Sequence, residues 1–169
     1  MGRTRRVIIM PVRLNSTRFP NKAIHMIDEK PLFVHLLDKL KEVDLPIVIA
    51  CPDKDYPELV KHAPHETYIT SNKTFKTGTD RVAHTANMMG LKPMDLVINV
   101  QCDQLLVSTG FIKQMVNYHK LMNTDTRMSF CLTFGCQDII SYRTINTVKM
   151  AVSVNGKALY FRANWIKSR

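Results

Sequence analysis

No run of about 18 apolar residues occurs in this chain, so no segment is suited to crossing a membrane as a helix. The basic start, Met1 to Arg6, is followed by only four apolar residues, Val7 to Met10, before Pro11 and Arg13 close the run. A secretory leader needs roughly 7–15 apolar residues there, so a cytoplasmic location is expected. The four cysteines, Cys51, Cys102, Cys131 and Cys136, form no C-x-x-C pair and have no histidine at zinc-finger spacing. That argues against a zinc site and for reduced thiols packed among apolar neighbours. Repeats, low-complexity stretches and linkers are absent, and one domain over residues 1–169 is expected. The G-x-x-x-x-G-K pattern is also missing, which excludes a Walker-type phosphate loop. Acidic residues are in short supply: 14 against 24 Lys and Arg, for a net charge of +10. The imbalance favours an anionic partner such as a nucleotide, a nucleic acid or an acidic sugar. Because the basic residues are scattered and form no recognition motif, nucleic-acid binding stays a remote alternative.

What is present is an alternation of short apolar runs with helical patterns. Val7–Met10, Ile47–Ala50, Glu66–Thr70 and Leu96–Val100 read as strands rich in β-branched residues. Pro31–Val43 carries Leu32, Leu36, Leu37 and Leu40 at helical spacing, with proline at its start. Asp53–His62, Thr79–Met89 and Thr109–Met122 read as further helices. The third of these helices should turn Val82, Ala83, Ala86 and Met89 inward, and the fourth Phe111, Ile112, Met115 and Val116. Later strands are expected at Met128–Phe134 and Thr147–Val154, and Asn155-Gly156 signals a hairpin into Ala158–Phe161. The pattern predicts an α/β fold with a mostly parallel sheet, helices on both faces and a C-terminal hairpin. Ligands of such sheets sit at the C-terminal ends of the strands, which directs attention to the loops after Met10 and Val100.

The first loop gathers Arg13, Arg18 and Lys22 with the hydroxyls of Ser16 and Thr17 directly behind a buried strand. Guanidinium groups grip phosphate with two donors, and a lysine adds a point charge. Composition alone would favour an ordinary solvated basic loop. The second loop, Gln101-Cys102-Asp103-Gln104, puts a carboxylate at the end of a central strand, where it can hold Mg²⁺ against a triphosphate or simply make a turn. A third stretch, Thr77-Gly78-Thr79-Asp80-Arg81, is a helix-capping arrangement whose N-terminus also suits an anion.

The order of residues in these loops tips the balance. Pro11-x-Arg13-x-x-Ser16-Thr17-Arg18-x-Pro20-x-Lys22 resembles the signature of the Kdo and acylneuraminate cytidylyltransferases, placed where that family has it. Thr77-Gly78-Thr79-Asp80-Arg81 resembles the family's Ser-Gly-Thr-Asp/Glu-Arg, with Phe75 where a histidine is usual. Val100, Gln101 and Asp103 match the family's Val-Gln-Gly-Asp-Glu-Pro, whereas Cys102, Gln104 and Leu105 depart from it. Val148-Lys149 and Gly156 to Ala163 resemble two later stretches, one serine short before Arg162. The likeness runs from Arg6 to about Ile166 and implies a Rossmann-like nucleotidyltransferase domain of the nucleotide-diphospho-sugar transferase type. The family continues further, supplying most of the sugar pocket, another metal-binding aspartate and much of a dimer interface. This chain is expected to lack that portion, and a homodimer is a candidate assembly.

The resemblance implies transfer of CMP from CTP to Kdo, an acidic eight-carbon sugar, with release of pyrophosphate in lipopolysaccharide precursor synthesis. Arg13, Lys22 and Asp103 would be catalytic. Pro11, Arg13, Ser16, Arg18, Lys22, Thr77, Gly78 and Gln101 would bind the nucleotide, and Arg162 the sugar. Asp103 would carry Mg²⁺, and Arg81 would support its loop through the Asp/Glu-Arg pair. The altered Cys102 to Gln104 loop keeps a second reading open, a homologue that binds nucleotide without turning it over.

Overall fold

Val7 is 3% exposed, and Ile8, Ile9 and Met10 are fully buried, so one strand, β1 (Arg6–Pro11), is covered on both faces. That burial requires partners above, below and on each edge, and the chain supplies them by parallel pairing. The computed structural model describes residues 4–15, 19–122, 149–154 and 158–162. By contact the chain divides into two compact units, Met1–Arg127 and Met128–Arg169.

In the first unit β1 lies between β4 (Ile47–Pro52) and β6 (Leu96–Asn99), and β5 (Thr67–Ser71) pairs on the far side of β4. All three pairings are parallel, in the order β5-β4-β1-β6. The register sets Ile9 beside Val48 and Asn99, and Ile8 beside Ile47 and Ile98. Paired residues share a face, so Val7, Ile9, Val48 and Ala50 form one side. Val82 of α3 (Gly78–Met88) packs there, with Ala86 and Met89 partly buried around it. On the other side Tyr68, paired with Ile49, donates its hydroxyl to Ala63 O at 3.0 Å and Leu59 O at 3.2 Å, tying α2 (Tyr56–His62) to that face. Helices therefore cover both faces, and the mostly parallel sheet expected from the sequence is present.

Local chemistry explains the helix ends. Pro31, which closes the two-residue hairpin of β2 (Met26–Ile27) and β3 (Lys30–Pro31), is the N-cap of α1 (Leu32–Lys41). Leu32, Phe33, Leu36, Leu37 and Leu40 are its buried stripe, and Lys39 and Lys41 complement its C-terminal dipole. The helix of α3 opens with a full capping box: Thr77 Oγ1 accepts from Asp80 N at 3.1 Å, and Asp80 Oδ2 accepts from Thr77 N at 3.0 Å. Asp53–His62 resolves into a 3₁₀ turn, Asp53–Asp55, followed by α2.

Two inward faces differ from expectation. In α3 Ala83 is exposed, and the buried stripe takes Arg81, Val82 and Thr85, because those positions recur one turn apart on the side facing β1. In α4 (Thr109–Met122) Ile112 and Val116 are buried, while Phe111 is 43% exposed, a helical step round from that narrow stripe. In the second unit β7 (Lys149–Val152) and β8 (Ala158–Arg162) pair antiparallel, as the hairpin signal required. Asn155-Gly156 and the strand expected at Met128–Phe134 lie outside the described residues. No helix among the described residues is long and apolar enough to cross a membrane.

Candidate functional site

The chain runs outward from β1 to β4 and β5, then returns to place β6 on the opposite side of β1. That reversal opens a crevice beyond the C-terminal ends of β1 and β6. A cleft of about 530 Å³ lies there. Pro11, Arg13 and Lys22 line it from the first loop, Thr77 and Gly78 from the start of α3, and Gln101 and Asp103 from the second loop. Seven of the nine residues assigned to nucleotide and catalysis thus converge. The other two, Ser16 and Arg18, lie outside the described residues.

Each loop is held by its surroundings. Val12 N donates to Ala50 O at 2.9 Å, carrying β1's pairing one step past the strand. Lys22 opens a 3₁₀ turn, Lys22–Ile24, after Asn21 in a left-handed conformation (φ 57°), and its Nζ meets Asp103 Oδ2 at 2.8 Å. The two groups best suited to a phosphate and a metal are therefore ion-paired to each other. Both side chains are well exposed, at 39% and 46%, so the pair is weak and exchangeable.

The second loop closes on itself. Gln101 N donates to Gln104 Oε1 at 2.8 Å, and Gln104 N to Gln101 O at 3.0 Å. Gln104 thus spends its amide on the turn. Lys39 of α1 donates to Leu105 O at 2.8 Å and clamps the same loop from behind. Gln101 turns its side chain back to Asn99 Oδ1 at 2.8 Å, against Gly78. A Cβ at Gly78 would stand 2.6 Å from Gln101 Oε1, so only glycine leaves the glutamine where it is. Cys102 lines the cleft, half-buried, and burial first and the Asp103 charge second push its thiol up to about 11. It is a neutral thiol near pH 7.

Arg81 is placed differently from the loop-supporting role expected of it. Asp80 is committed to the capping box, and Arg81 is only 7% exposed beneath the cleft, its guanidinium 5.0 Å from the Phe75 ring centroid. Its Nη1 is buried without a hydrogen-bond partner among the described residues. Burial lowers its pKa, with Cys51 and Asp55 offsetting part of that and Arg13 adding to it. The cleft therefore presents Arg13, Lys22 and Arg81 against one carboxylate, Asp103, an excess suited to a polyanion. Among the described residues no three His, Cys, Asp or Glu side chains gather as a metal cluster. Arg162 ends β8 in the second unit, and its side chain lies outside the described residues.

Two contributions escaped the sequence. Phe19, 44% exposed, lines the cleft with Phe75 and packs edge-on to His25 at 5.1 Å. Asp55, 5% exposed, accepts from Leu14 N at 2.9 Å across 41 residues of chain. A carboxylate between a strand and a helix carries no local sign of so distant a partner.

A cleft at the switch point of a parallel sheet, rimmed by arginine, lysine and a single aspartate, is where open α/β sheets take their ligands. The family model described as cytidylyltransferase matches residues 7–169, and the chain belongs to that family. It is 32% identical to a 3-deoxy-manno-octulosonate cytidylyltransferase of a Nitratiruptor species, over 95% of this chain and 66% of that protein. It is also 32% identical to the 8-amino-3,8-dideoxy-manno-octulosonate cytidylyltransferase of a Shewanella species, over 92% of this chain and 63% of the relative. The chain thus spans slightly less than two thirds of the length of these relatives. Among solved structures, CMP:2-keto-3-deoxy-manno-octonic acid synthetase complexed with CTP superposes with a TM-score of 0.73 at 22% identity, over 95% of this chain and 64% of that one. That likeness is one of fold.

Proposed function

We propose that the protein transfers CMP from CTP to Kdo or a closely related 3-deoxy-octulosonic acid, releasing pyrophosphate, as a cytoplasmic step toward lipopolysaccharide. Residues 1–169 are read as one cytidylyltransferase domain, in line with the family match over 7–169. The observation that carries the proposal is the convergence of Arg13, Lys22, Gly78, Gln101 and Asp103 on one cleft from three separate loops. The two relatives named above act on sugars that differ at carbon 8, so the shared acidic octulosonate is the part of the substrate best supported.

In this reading Arg13 and Lys22 bind the triphosphate oxygens, with Ser16 and Arg18 of the same loop adding donors. The positive end of α3, at Thr77 and Gly78, faces the same nucleotide, and Gln101 orients it. The anomeric hydroxyl oxygen of the sugar attacks the α-phosphorus. A new C–O–P linkage forms, the α–β phosphoanhydride bond breaks, pyrophosphate leaves, and the hydroxyl proton passes to solvent. Positioning and charge neutralisation suffice for such a transfer. Arg162 is assigned to the sugar carboxylate.

Asp103 fits Mg²⁺, because that cation takes one or two protein carboxylates beside phosphate oxygens and water. When bound, it would neutralise charge on the phosphates. Lys22 then exchanges Asp103 for a phosphate oxygen, which the exposure of their pair permits. The test is mass spectrometry of the chain incubated with CTP, Kdo and Mg²⁺: a CMP-sugar ester must form, and omission of either substrate must prevent it. The Lys22–Asp103 pair and the Cys102 thiol in the cleft also favour a second reading, nucleotide binding without transfer. CTP binding with no ester formed would establish it.

A further inference from the structure

We infer that Asp55 is a positioning residue that fixes the loop behind β1 and thereby sets affinity for the triphosphate; the inference rests on the nucleotide reading above. Asp55 ends the 3₁₀ turn before α2 and belongs to neither cleft loop. It is 5% exposed, and a buried carboxylate is costly unless donors face it. The donor is the Leu14 amide, at 2.9 Å. Leu14 is held at its other end too, since its carbonyl accepts from Asn21 N at 2.9 Å. One residue before Arg13, Val12 N donates to Ala50 O at 2.9 Å.

Arg13 is thus the exposed residue between two pinned amides, one held by β4 and the other by Asp55. A long side chain that must meet a phosphate gains from a backbone fixed in advance, because less freedom is lost on binding. Without the Asp55 contact, Leu14 N has no other partner among the described residues, and the amides flanking Arg13 are anchored only at Val12. Asp55 also faces positive charge: it is among the groups that offset burial of the Arg81 guanidinium, which Arg13 opposes. Hydrogen bonding and charge are separable roles, and the positioning account requires the first.

Asp55→Asn keeps an acceptor oxygen in place and removes the charge. Asp55→Glu keeps the charge and displaces the acceptor by one methylene. CTP affinity and steady-state kinetics would be measured for both, with melting curves to confirm folding. The expected result is Asp55→Asn within about threefold of wild type. Asp55→Glu should bind CTP about tenfold more weakly, the scale of one lost hydrogen bond to a charged group. KM for CTP should rise while kcat stays within about threefold, since a phosphate grip acts on ground and transition states alike. Equal CTP affinity for wild type and Asp55→Glu would overturn the inference. So would Asp55→Asn binding CTP as weakly as Asp55→Glu or more weakly, because an acceptor kept in place would then not preserve affinity. Amide hydrogen exchange of Leu14 in the ligand-free wild type decides the matter should the Glu variant not fold. Protection is expected, and exchange at the rate of an open loop would refute the contact. A wild type that keeps Leu14 protected yet binds no CTP would instead defeat the nucleotide reading.

Discussion

Replacing Gly78 by alanine separates a residue kept for the site from one kept for the fold. The added methyl would lie 2.6 Å from Gln101 Oε1, about 0.8 Å inside ordinary contact. The backbone of α3 gives way less easily than a side chain, so the Gln101 amide has to move. Moving it breaks the 2.8 Å bond to Asn99, a loss of about 0.5–1.5 kcal/mol. Against this, Gly78 is the first residue of α3, and alanine there gains up to about 1 kcal/mol from helix propensity and reduced freedom of the unfolded chain. The two terms nearly cancel in stability. They do not cancel in the cleft, where the displaced amide occupies space assigned to the nucleotide. Gly78→Ala should therefore melt within a few degrees of wild type while CTP affinity falls about tenfold, the equivalent of about 1.4 kcal/mol of lost contact with the nucleotide. Isothermal titration with CTP and thermal denaturation, run on the same preparations, read both quantities. Unchanged CTP affinity would refute the reasoning, as would a loss of stability well beyond about 1 kcal/mol.

Three other outcomes follow from the same geometry. Thr77→Ala removes the side-chain acceptor of the α3 capping box and should cost about 1 kcal/mol, read as a lower urea midpoint with an unchanged slope. Lys39→Met frees the Leu105 carbonyl and loosens the loop bearing Asp103; the Mg²⁺ concentration for half-maximal activity should rise several-fold with little change in melting temperature. Burial raises the Cys102 thiol from 9.0 to about 11, so at pH 8 iodoacetamide should modify it about 100-fold more slowly than an ordinary thiol. Its reaction rate should climb about tenfold per pH unit toward 11, and stability linked to this group should be constant below pH 9 and fall between 9 and 11, because only the unfolded state has then released the proton.

The sheet was legible because its two inner strands, β1 and β4, are buried on both faces. Val7–Met10 and Ile47–Ala50 are continuous apolar runs, a pattern that few other arrangements produce. The cleft loops were legible for a different reason, the ordered match of Arg13, Lys22 and Asp103 to a known family. Helix faces were less so: apolar spacing placed Ala83 inward, whereas Arg81 and Thr85 hold that face. An arginine there is tolerated because Phe75 shields it and Asp55 offsets its charge, neither of which is adjacent in sequence. The same distance hid the Asp55 contact to Leu14 and the Lys39 contact to Leu105, which exist only once the chain has brought the turn before α2 and the end of α1 against the two cleft loops. Gly78 read from the sequence as part of a helix cap and, by resemblance, as a nucleotide contact, and its closeness to Gln101 emerged only from the fold.

The central claim is that this cleft transfers CMP from CTP, with Asp103 indispensable to the transfer. Pyrophosphate release from CTP, Kdo and Mg²⁺, measured for wild type and Asp103→Ala together with CTP binding by each, tests it most directly. The account predicts release that requires Kdo in the wild type, and none above background in Asp103→Ala, which nevertheless still binds CTP. Equal release by the two proteins, or none from a folded wild type, would contradict it.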